Sequence, residues 1–378
     1  MARIKWAEDL RQLRAVIKVV GLGGAGGNAV DRMVEAGIRE VELIAANTDA
    51  QDLRANKAPI RIQLGEDLTR GLGVGGDPKK GRLAALESNE HLREVLSGAD
   101  LVFITAGMGG GTGTGSAPVA AQIAKEAGAL TVGVVTRPFE FEGRIRALQA
   151  DEGIKDLRAH VDTLLVIPND KLFSVSDDDT PSDEAFRKAD EVLRQAIQSI
   201  SDVITTPGEI NMDLNDIRAI MLDAGEAHMG VGEAEGPNRA VEAARQAVTS
   251  PLLENASIEG AKGVIVNIVG SQVALSDIKD AMEFITHASS PEARIKFGQA
   301  VDESLGGRLR ITVIATGFPA HKTRAPWKAG SLSPAQPPLG GRLAPRDLAA
   351  SGHSGALPGS PEEWAKPAFL RWKVRKLR

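Results

Sequence analysis

The chain has no cysteine and no tyrosine among its 378 residues. Without a thiol there is no disulfide framework, no Cys-ligated zinc or iron–sulfur cluster, and no thiol nucleophile. Aromatic residues make up 3%, nine Phe and four Trp. That is too few for the base-stacking platforms that grip single-stranded nucleic acid. No apolar run approaches the ~18–20 residues of a membrane span. The N-terminal stretch MARIKWAEDLRQLR alternates charge with apolar residues and lacks the apolar core of a signal peptide, so the expected location is cytoplasmic. Net charge is −5, unevenly spread. Residues 319–378 hold eleven Lys/Arg against three Asp/Glu, a net +8, which leaves −13 for residues 1–318. An acidic body does not suit phosphate-backbone binding, and no nucleic acid partner is expected.

What remains is an ordinary globular composition, 42% hydrophobic and 25% charged, long enough for two domains with additional segments. Glycine is the exception, at 41 residues. Fifteen of them fall within 22 positions: 21–27 (GLGGAGG), 71–76 (GLGVGG) and 107–115 (GMGGGTGTG).

Apolar runs at 15–20, 41–46, 100–105, 130–136 and 162–167 read as buried strands. Helical spacing at 28–36, 116–127 and 144–158 places helices between them. Strands alternating with helices predict an α/β fold with a doubly wound parallel sheet. The longest helical stripe is 181–204, with Thr180 as N-cap and Pro181 in the first turn. Its length predicts a spine between two domains. Beyond it, helices at about 214–224, 238–249 and 275–288 alternate with strands near 226–233, 263–269, 294–301 and 309–316. This pattern predicts a smaller α/β domain with a partly antiparallel sheet. Residues 319–361, with eight prolines and six glycines, have a linker composition.

Two of the glycine loops follow a strand and precede a helix. Successive glycine amides there can turn toward an anion, with the helix dipole behind them. Thr112, Thr114 and Ser116 add hydroxyls. The bland alternative is a pair of tight turns. Gly21-x-Gly23-x-x-Gly26 alone also matches a dinucleotide fingerprint, so an NAD(P)-dependent oxidoreductase is the rival reading. That rival expects one such loop, not two, and an acid after the second strand, where Asp49 lies. No Walker A sequence is present.

The run Gly109-Gly110-Gly111-Thr112-Gly113-Thr114-Gly115 is the tubulin-type signature. Together with Gly21–Asn28, Asn47-Thr48-Asp49, Phe141-Glu142-Gly143-Arg144, Pro168-Asn169-Asp170-Lys171 and Asn211-Met212-Asp213-Leu214-Asn215-Asp216, it resembles the FtsZ family of bacterial, tubulin-like cell-division GTPases across about residues 14–318. The resemblance implies a tubulin/FtsZ-like fold, and GTP/GDP as ligand with Mg²⁺ held mainly through the phosphates rather than by side chains. Gly24, Ala25, Gly26, Gly27, Asn28, Asn47, Gly109, Gly110, Gly111, Thr112, Gly113 and Thr114 would line the nucleotide. Gly75 and Gly76 of the third loop would sit by the γ-phosphate, near the unusual Val74 and Asp77-Pro78-Lys79-Lys80.

Glu142 and Arg146 match ribose and nucleotide contacts, although their spacing also fits a plain i,i+4 ion pair. Asp190 matches the guanine reader. Phe186 matches the base-stacking residue, though it lies on the apolar stripe, whose leading local reading is core packing. Asn169 matches a base contact or a simple turn. Asp213 and Asp216 read locally as an N-cap and a dipole-compensating acid. The resemblance makes them catalytic groups, supported by Asn211, that enter the next subunit's nucleotide site.

The implied organisation is an extension at 1–13, a GTP-binding domain at 14–180, a central helix at 181–206, a C-terminal domain at 207–318, a flexible linker at 319–360 and an adaptor peptide at 361–378. The implied partners are further copies of the chain, head to tail, plus membrane-tethering and regulatory division proteins at the mid-cell division site. Pro367-Ala368-Phe369-Leu370-Arg371 resembles the core of the family's tail peptide, but Ala365 and Lys366 replace its usual flank. The six basic residues in 366–378 also suit direct contact with anionic membrane.

All four Trp (6, 327, 364 and 372) lie outside 14–318. Thermal unfolding followed by circular dichroism is therefore expected to show a transition to which Trp emission is nearly blind. A Trp signal that tracks the full transition contradicts this reading.

Overall fold

A computed structural model of the chain describes residues 14–318, apart from 39, 172–181, 206–209, 211 and 254–257. The first half runs β1 (Ile17–Leu22), α1 (Gly23–Glu35), β2 (Val41–Asn47), α2 (Ala50–Ala55) and β3 (Ile60–Gln63). Three helices follow, α3 (Glu66–Thr69), α4 (Pro78–Glu87) and α5 (Asn89–Leu96). Then come β4 (Leu101–Gly107), α6 (Thr112–Glu126), β5 (Leu130–Arg137), α7 (Arg144–Arg158) and β6 (Thr163–Pro168). The long helix α8 (Ser182–Thr205) leads to α9 (Leu214–Met221), β7 (Gly225–Ala234), α10 (Arg239–Val248), β8 (Gly263–Gly270), α11 (Leu275–Ala288), β9 (Arg294–Val301) and β10 (Leu309–Thr316).

All ten strands join one sheet in the order β3-β2-β1-β4-β5-β6-β7-β10-β8-β9. The first six are parallel. A short parallel pairing of Thr163–Leu165 with Gly225–Ala227 carries the sheet into its second half. There β10 is antiparallel to both β7 and β8, while β8 and β9 are parallel. The partly antiparallel character agrees with the sequence pattern. The continuity of the sheet is a finding that periodicity does not carry.

Helices cover both faces, so β1 and β8 are buried along their whole length and read as apolar runs broken only by Lys18 and Asn267. Alternate residues of β1 feed different cores. Ile17 and Val19 join α1, α8 and α9 on one face, whereas Val20 and Leu22 meet α4, α5, α6 and α7 on the other. The first core runs on to Ile265 and Ile314, so α8 backs both halves of the sheet. A third core lies under α10 and α11.

Helix α8 matches the sequence expectation within one residue, and its 24 residues span ~36 Å. The expected cap Thr180 and Pro181 fall outside the described residues. Two helices differ at their starts. Helix α1 begins at Gly23 rather than 28, and α6 at Thr112 rather than 116. Gly23, Gly24, Gly26 and Gly27 therefore form the first turns of α1, and Gly113 and Gly115 the first turn of α6, while Gly109–Gly111 remain a turn ahead of it. Glycine's poor helix propensity hides this in the sequence. Strand β3 and helices α3, α4 and α5, all short, were not expected.

The alanine face of α10 (Ala240, Ala243, Ala244 and Ala247) is buried against β7. The approach is close: a Cβ on Gly230 would lie 1.9 Å from the Ala247 carbonyl oxygen. Gly230→Ala is expected to destabilise the fold by about 1–3 kcal/mol through overpacking. An unchanged melting temperature contradicts that packing.

Candidate functional site

Among the parallel strands the chain winds from β1 toward β3, then returns and winds from β4 toward β6. The switch lies between β1 and β4, and ligands of open parallel sheets bind beyond the strand carboxyl ends at such a point. Both glycine turns emerge there. The turns are in contact: Gly23 has φ +69°, and a Cβ on it would fall 2.8 Å from the Gly113 amide nitrogen. Neither α1 nor α6 has a side-chain cap. The first ~4 amides of each helix have no intrahelical acceptor, so the crevice presents two adjoining sets of donors with aligned dipoles. Gly24 and Asn28 are exposed, and a Cβ on Gly110 would meet only open space.

The hydroxyls are used mostly inside the site. Thr112 Oγ1 lies 2.6 Å from Thr48 Oγ1. The Gly109 amide donates to Thr114 Oγ1 at 2.8 Å, and Ser116 Oγ donates to the Thr112 carbonyl at 2.7 Å. Asn47 is likewise engaged: its Oδ1 accepts from the Asp49 amide and its Nδ2 donates to Asp52 Oδ2 at 2.6 Å. The third loop leans on the second, since a Cβ on Gly111 would fall 2.5 Å from Val74 Cγ2. Asp77 caps α4 through the Lys79 amide, with Pro78 in the first turn. Gly75 and Gly76 face open space.

The other end of the crevice is aromatic. Phe139 is buried, stacks on Phe141 (4.9 Å between centroids, 14° between planes) and meets Phe186 edge-on (5.4 Å, 87°). Phe186 is 43% exposed, so it is not core despite its place on the α8 stripe. Glu142 Oε1 accepts from the Phe139 amide at 2.9 Å, and its other oxygen pairs with Arg146 at 3.0 Å. The i,i+4 pair is thus present, and it is fastened to the aromatic cluster. Asn169 is buried with its Oδ1 unpartnered. Phe139 and Asp52 are the residues that sequence reasoning missed. The rarity of aromatics was the available signal for Phe139.

Asp190 is buried on α8, which packs along α1. Burial pushes its pKa up to about 7; Arg32 opposes the rise and Asp31 adds to it. A buried acid one helical turn from an exposed ring suits a planar base with several donors, such as guanine with its N1–H and amino group. The rival reading fares worse. Asp49 is the N-cap of α2 and accepts from the Gln51 and Asp52 amides, so it is not held ready for a ribose.

Asp213 and Asp216 lie elsewhere. Asp213 caps α9 by accepting from the Asp216 amide at 2.7 Å, as its spacing suggested. Asp216 pairs with Lys296 at 2.6 Å. Arg218 of the same helix reaches the Asp100 carbonyl, just before β4 begins. The glycine turns lie beyond the other end of β4, whose seven residues span ~23 Å. The two acids therefore stand at the opposite end of the sheet from the crevice. Asn211 falls outside the described residues.

Residues 16–177 match the model of the Tubulin/FtsZ family GTPase domain, and residues 225–319 match that of the FtsZ family C-terminal domain. An empty FtsZ dimer from M. jannaschii is 45% identical over 82% of this chain and 90% of that one, with a TM-score of 0.79. The chain belongs to the FtsZ family. A mutant FtsZ from M. jannaschii aligns equally well, at 44% identity over 82% of this chain and 93% of that one, TM-score 0.79. CetZ2 of Haloferax volcanii, as a protofilament with bound GTPγS, shares the fold at 22% identity, covering 81% and 94% of the two chains, TM-score 0.67. Family membership makes the chain a guanine-nucleotide-binding GTPase of the cell-division cytoskeleton. No helix among the described residues is long and apolar enough to cross a membrane.

Guanine is expected to hold Asp190 ionised, against the burial that pushes its pKa up to about 7. GTP affinity should therefore fall as pH drops below about 7, by up to about tenfold per unit. Without nucleotide the sign for stability is opposite to the usual carboxylate case. The folded chain holds this proton more tightly, so the group's contribution declines as pH rises from about 4 to about 7. Asp190→Asn is expected to flatten the affinity profile and weaken binding about 10–100-fold. A wild-type affinity that is flat from about pH 6 to about pH 8 contradicts the assignment.

Proposed function

We propose that this chain is a GTP-dependent, filament-forming protein of the division ring, whose hydrolytic site is completed by the Asp213–Asp216 loop of the adjacent subunit. One observation carries the reading: donors and acids lie at opposite ends of the same sheet. The crevice presents amides, hydroxyls and a base pocket, while the loop bearing Asp213 and Asp216 lies too far away to serve it within one chain. A head-to-tail neighbour brings the two ends together. Such a contact joins different surfaces and does not close on itself, so its repetition builds a filament. The FtsZ dimer of M. jannaschii supports self-association.

In this reading Gly24, Ala25, Gly26, Gly27, Asn28 and Gly109–Thr114 hold the phosphates. Phe186, Asn169 and Asp190 read the base, and Glu142 with Arg146 borders the ribose. Asp213 and Asp216 of the neighbour, with Asn211, orient water for attack on the γ-phosphorus as the bond to the leaving nucleotide oxygen breaks. Catalysis then rests on positioning and electrostatics. Among the described residues there is no cluster of acids and histidines that would hold a metal alone. Asp52, whose carboxylate lies 3.7 Å from a Cβ built on Gly24 and whose pKa burial raises, would border a Mg²⁺ ion held mainly through the phosphates. When bound, that ion would neutralise phosphate charge. Gly75 and Gly76 would report the γ-phosphate, so hydrolysis would loosen the contact.

The assignment of 14–180 to nucleotide binding, 181–206 to the central helix and 207–318 to polymerisation belongs to the same proposal. So do the flexible linker at 319–360, the adaptor role of 361–378 toward tethering proteins, and mid-cell location. The tail residues lie outside the described part of the chain.

Asp213→Ala is expected to bind GTP with affinity close to wild type yet to hydrolyse it at least about a hundredfold more slowly. Wild-type activity per molecule is expected to rise with protein concentration. Loss of GTP binding in Asp213→Ala, or a concentration-independent wild-type rate, contradicts the shared site.

A further inference from the structure

Lys296 is the third residue of β9, the edge strand of the sheet, and its Nζ lies 2.6 Å from Asp216 Oδ1. Alternate residues of a strand share a face. On β9 the face bearing Lys296 also carries Arg294 and Gly298, and a Cβ on Gly298 would fall 2.7 Å from Val203 Cγ1 of α8. That face therefore looks toward the helices that bracket the acidic loop. The backbone is tied there as well, because the Gln299 amide donates to the Ile210 carbonyl at 3.0 Å. Strand β9 thus holds the loop at two points: at Ile210, before the acids, and at Asp216, the second of them.

The ion pair has little to do with stability. Its side chains are 46% and 35% exposed, and pairs of that kind add little to stability. Edge strands often carry lysine to discourage pairing with other sheets, but that role needs a lysine in solvent, not one held on a particular carboxylate. The pairing acquires a purpose when a triphosphate approaches. Two carboxylates facing a polyanion repel it, and a like-charge juxtaposition of this kind costs several kcal/mol across an interface. A cation held on Asp216 offsets part of that repulsion and restricts the carboxylate to one orientation.

We propose that Lys296 is a positioning residue of the shared active site, aiming Asp216 and offsetting its charge so that the loop can close over the neighbour's nucleotide. The inference rests on the shared-site reading. It assigns to β9 a part in hydrolysis that the acidic loop alone does not reveal.

The test is a series of full-length variants, Lys296→Gln, Lys296→Arg, Asp216→Asn and the double variant Lys296→Gln/Asp216→Asn. Each is assayed for GTP binding as monomer, for kcat across protein concentration, and for melting temperature. Lys296→Gln should bind GTP and melt like the wild type but lose about tenfold in kcat. Lys296→Arg should recover most of that loss. The double variant should be no slower than Asp216→Asn, because the two residues act as one unit.

A Lys296→Gln kcat within about twofold of wild type overturns the inference. So does a loss that arginine does not recover, or one that adds fully to Asp216→Asn. The two readings separate cleanly. Concentration-dependent wild-type activity with an unimpaired Lys296→Gln sinks only the role of Lys296. A flat wild-type activity sinks the shared site and this role with it.

Discussion

Two helix N-termini meet at one point of this molecule, and neither has a side chain to cap it. Amides without acceptors are costly when hidden and useful when an anion can reach them. The surrounding architecture answers that constraint. The parallel strands β1 and β4 deliver α1 and α6 side by side at the switch in winding direction. Glycine at position 23 lets the turns touch, and the third loop braces the second through Val74 and Gly111. Hydroxyls and amides that a casual reading gives to the ligand, such as Thr114 and Asn47, are spent on holding these turns in place.

Fixing the donors at one end of a continuous sheet has a further consequence. The same sheet and α8, ~36 Å long, set the distance to the acids at the other end. A single chain keeps donors and acids apart, which would prevent hydrolysis before assembly. Aromatic scarcity fits this economy: the Phe139 cluster, buried at its centre and exposed at Phe186, gathers rare rings where a base would lie.

Most of the parallel strands were legible because burial on both faces leaves mainly apolar runs, and α8 was legible from its one-sided stripe. The starts of α1 and α6 were not, because glycine and threonine are poor helix formers that tertiary contacts overrode. β3 and α3, at four residues each, are too short for periodicity to register. Among site residues, Asp190 and Phe186 were named through family resemblance; the structure adds that the first is buried and the second exposed. The sequence-level prior for Phe186 favoured core packing, which its exposure contradicts. The ion pair of Lys296 with Asp216 was invisible, since it joins positions 80 residues apart through the register of an edge strand.

The central claim is that one active site is built from two subunits, and complementation tests it most directly. Asp213→Ala keeps the nucleotide crevice but loses the acid; Asp190→Ala keeps the acidic loop but loses its hold on guanine. Each alone should be nearly inactive. Mixed in equal amounts, random head-to-tail contacts should place an intact crevice against an intact loop at about one interface in four, restoring about a quarter of wild-type turnover. A mixture no more active than either variant alone would contradict the account.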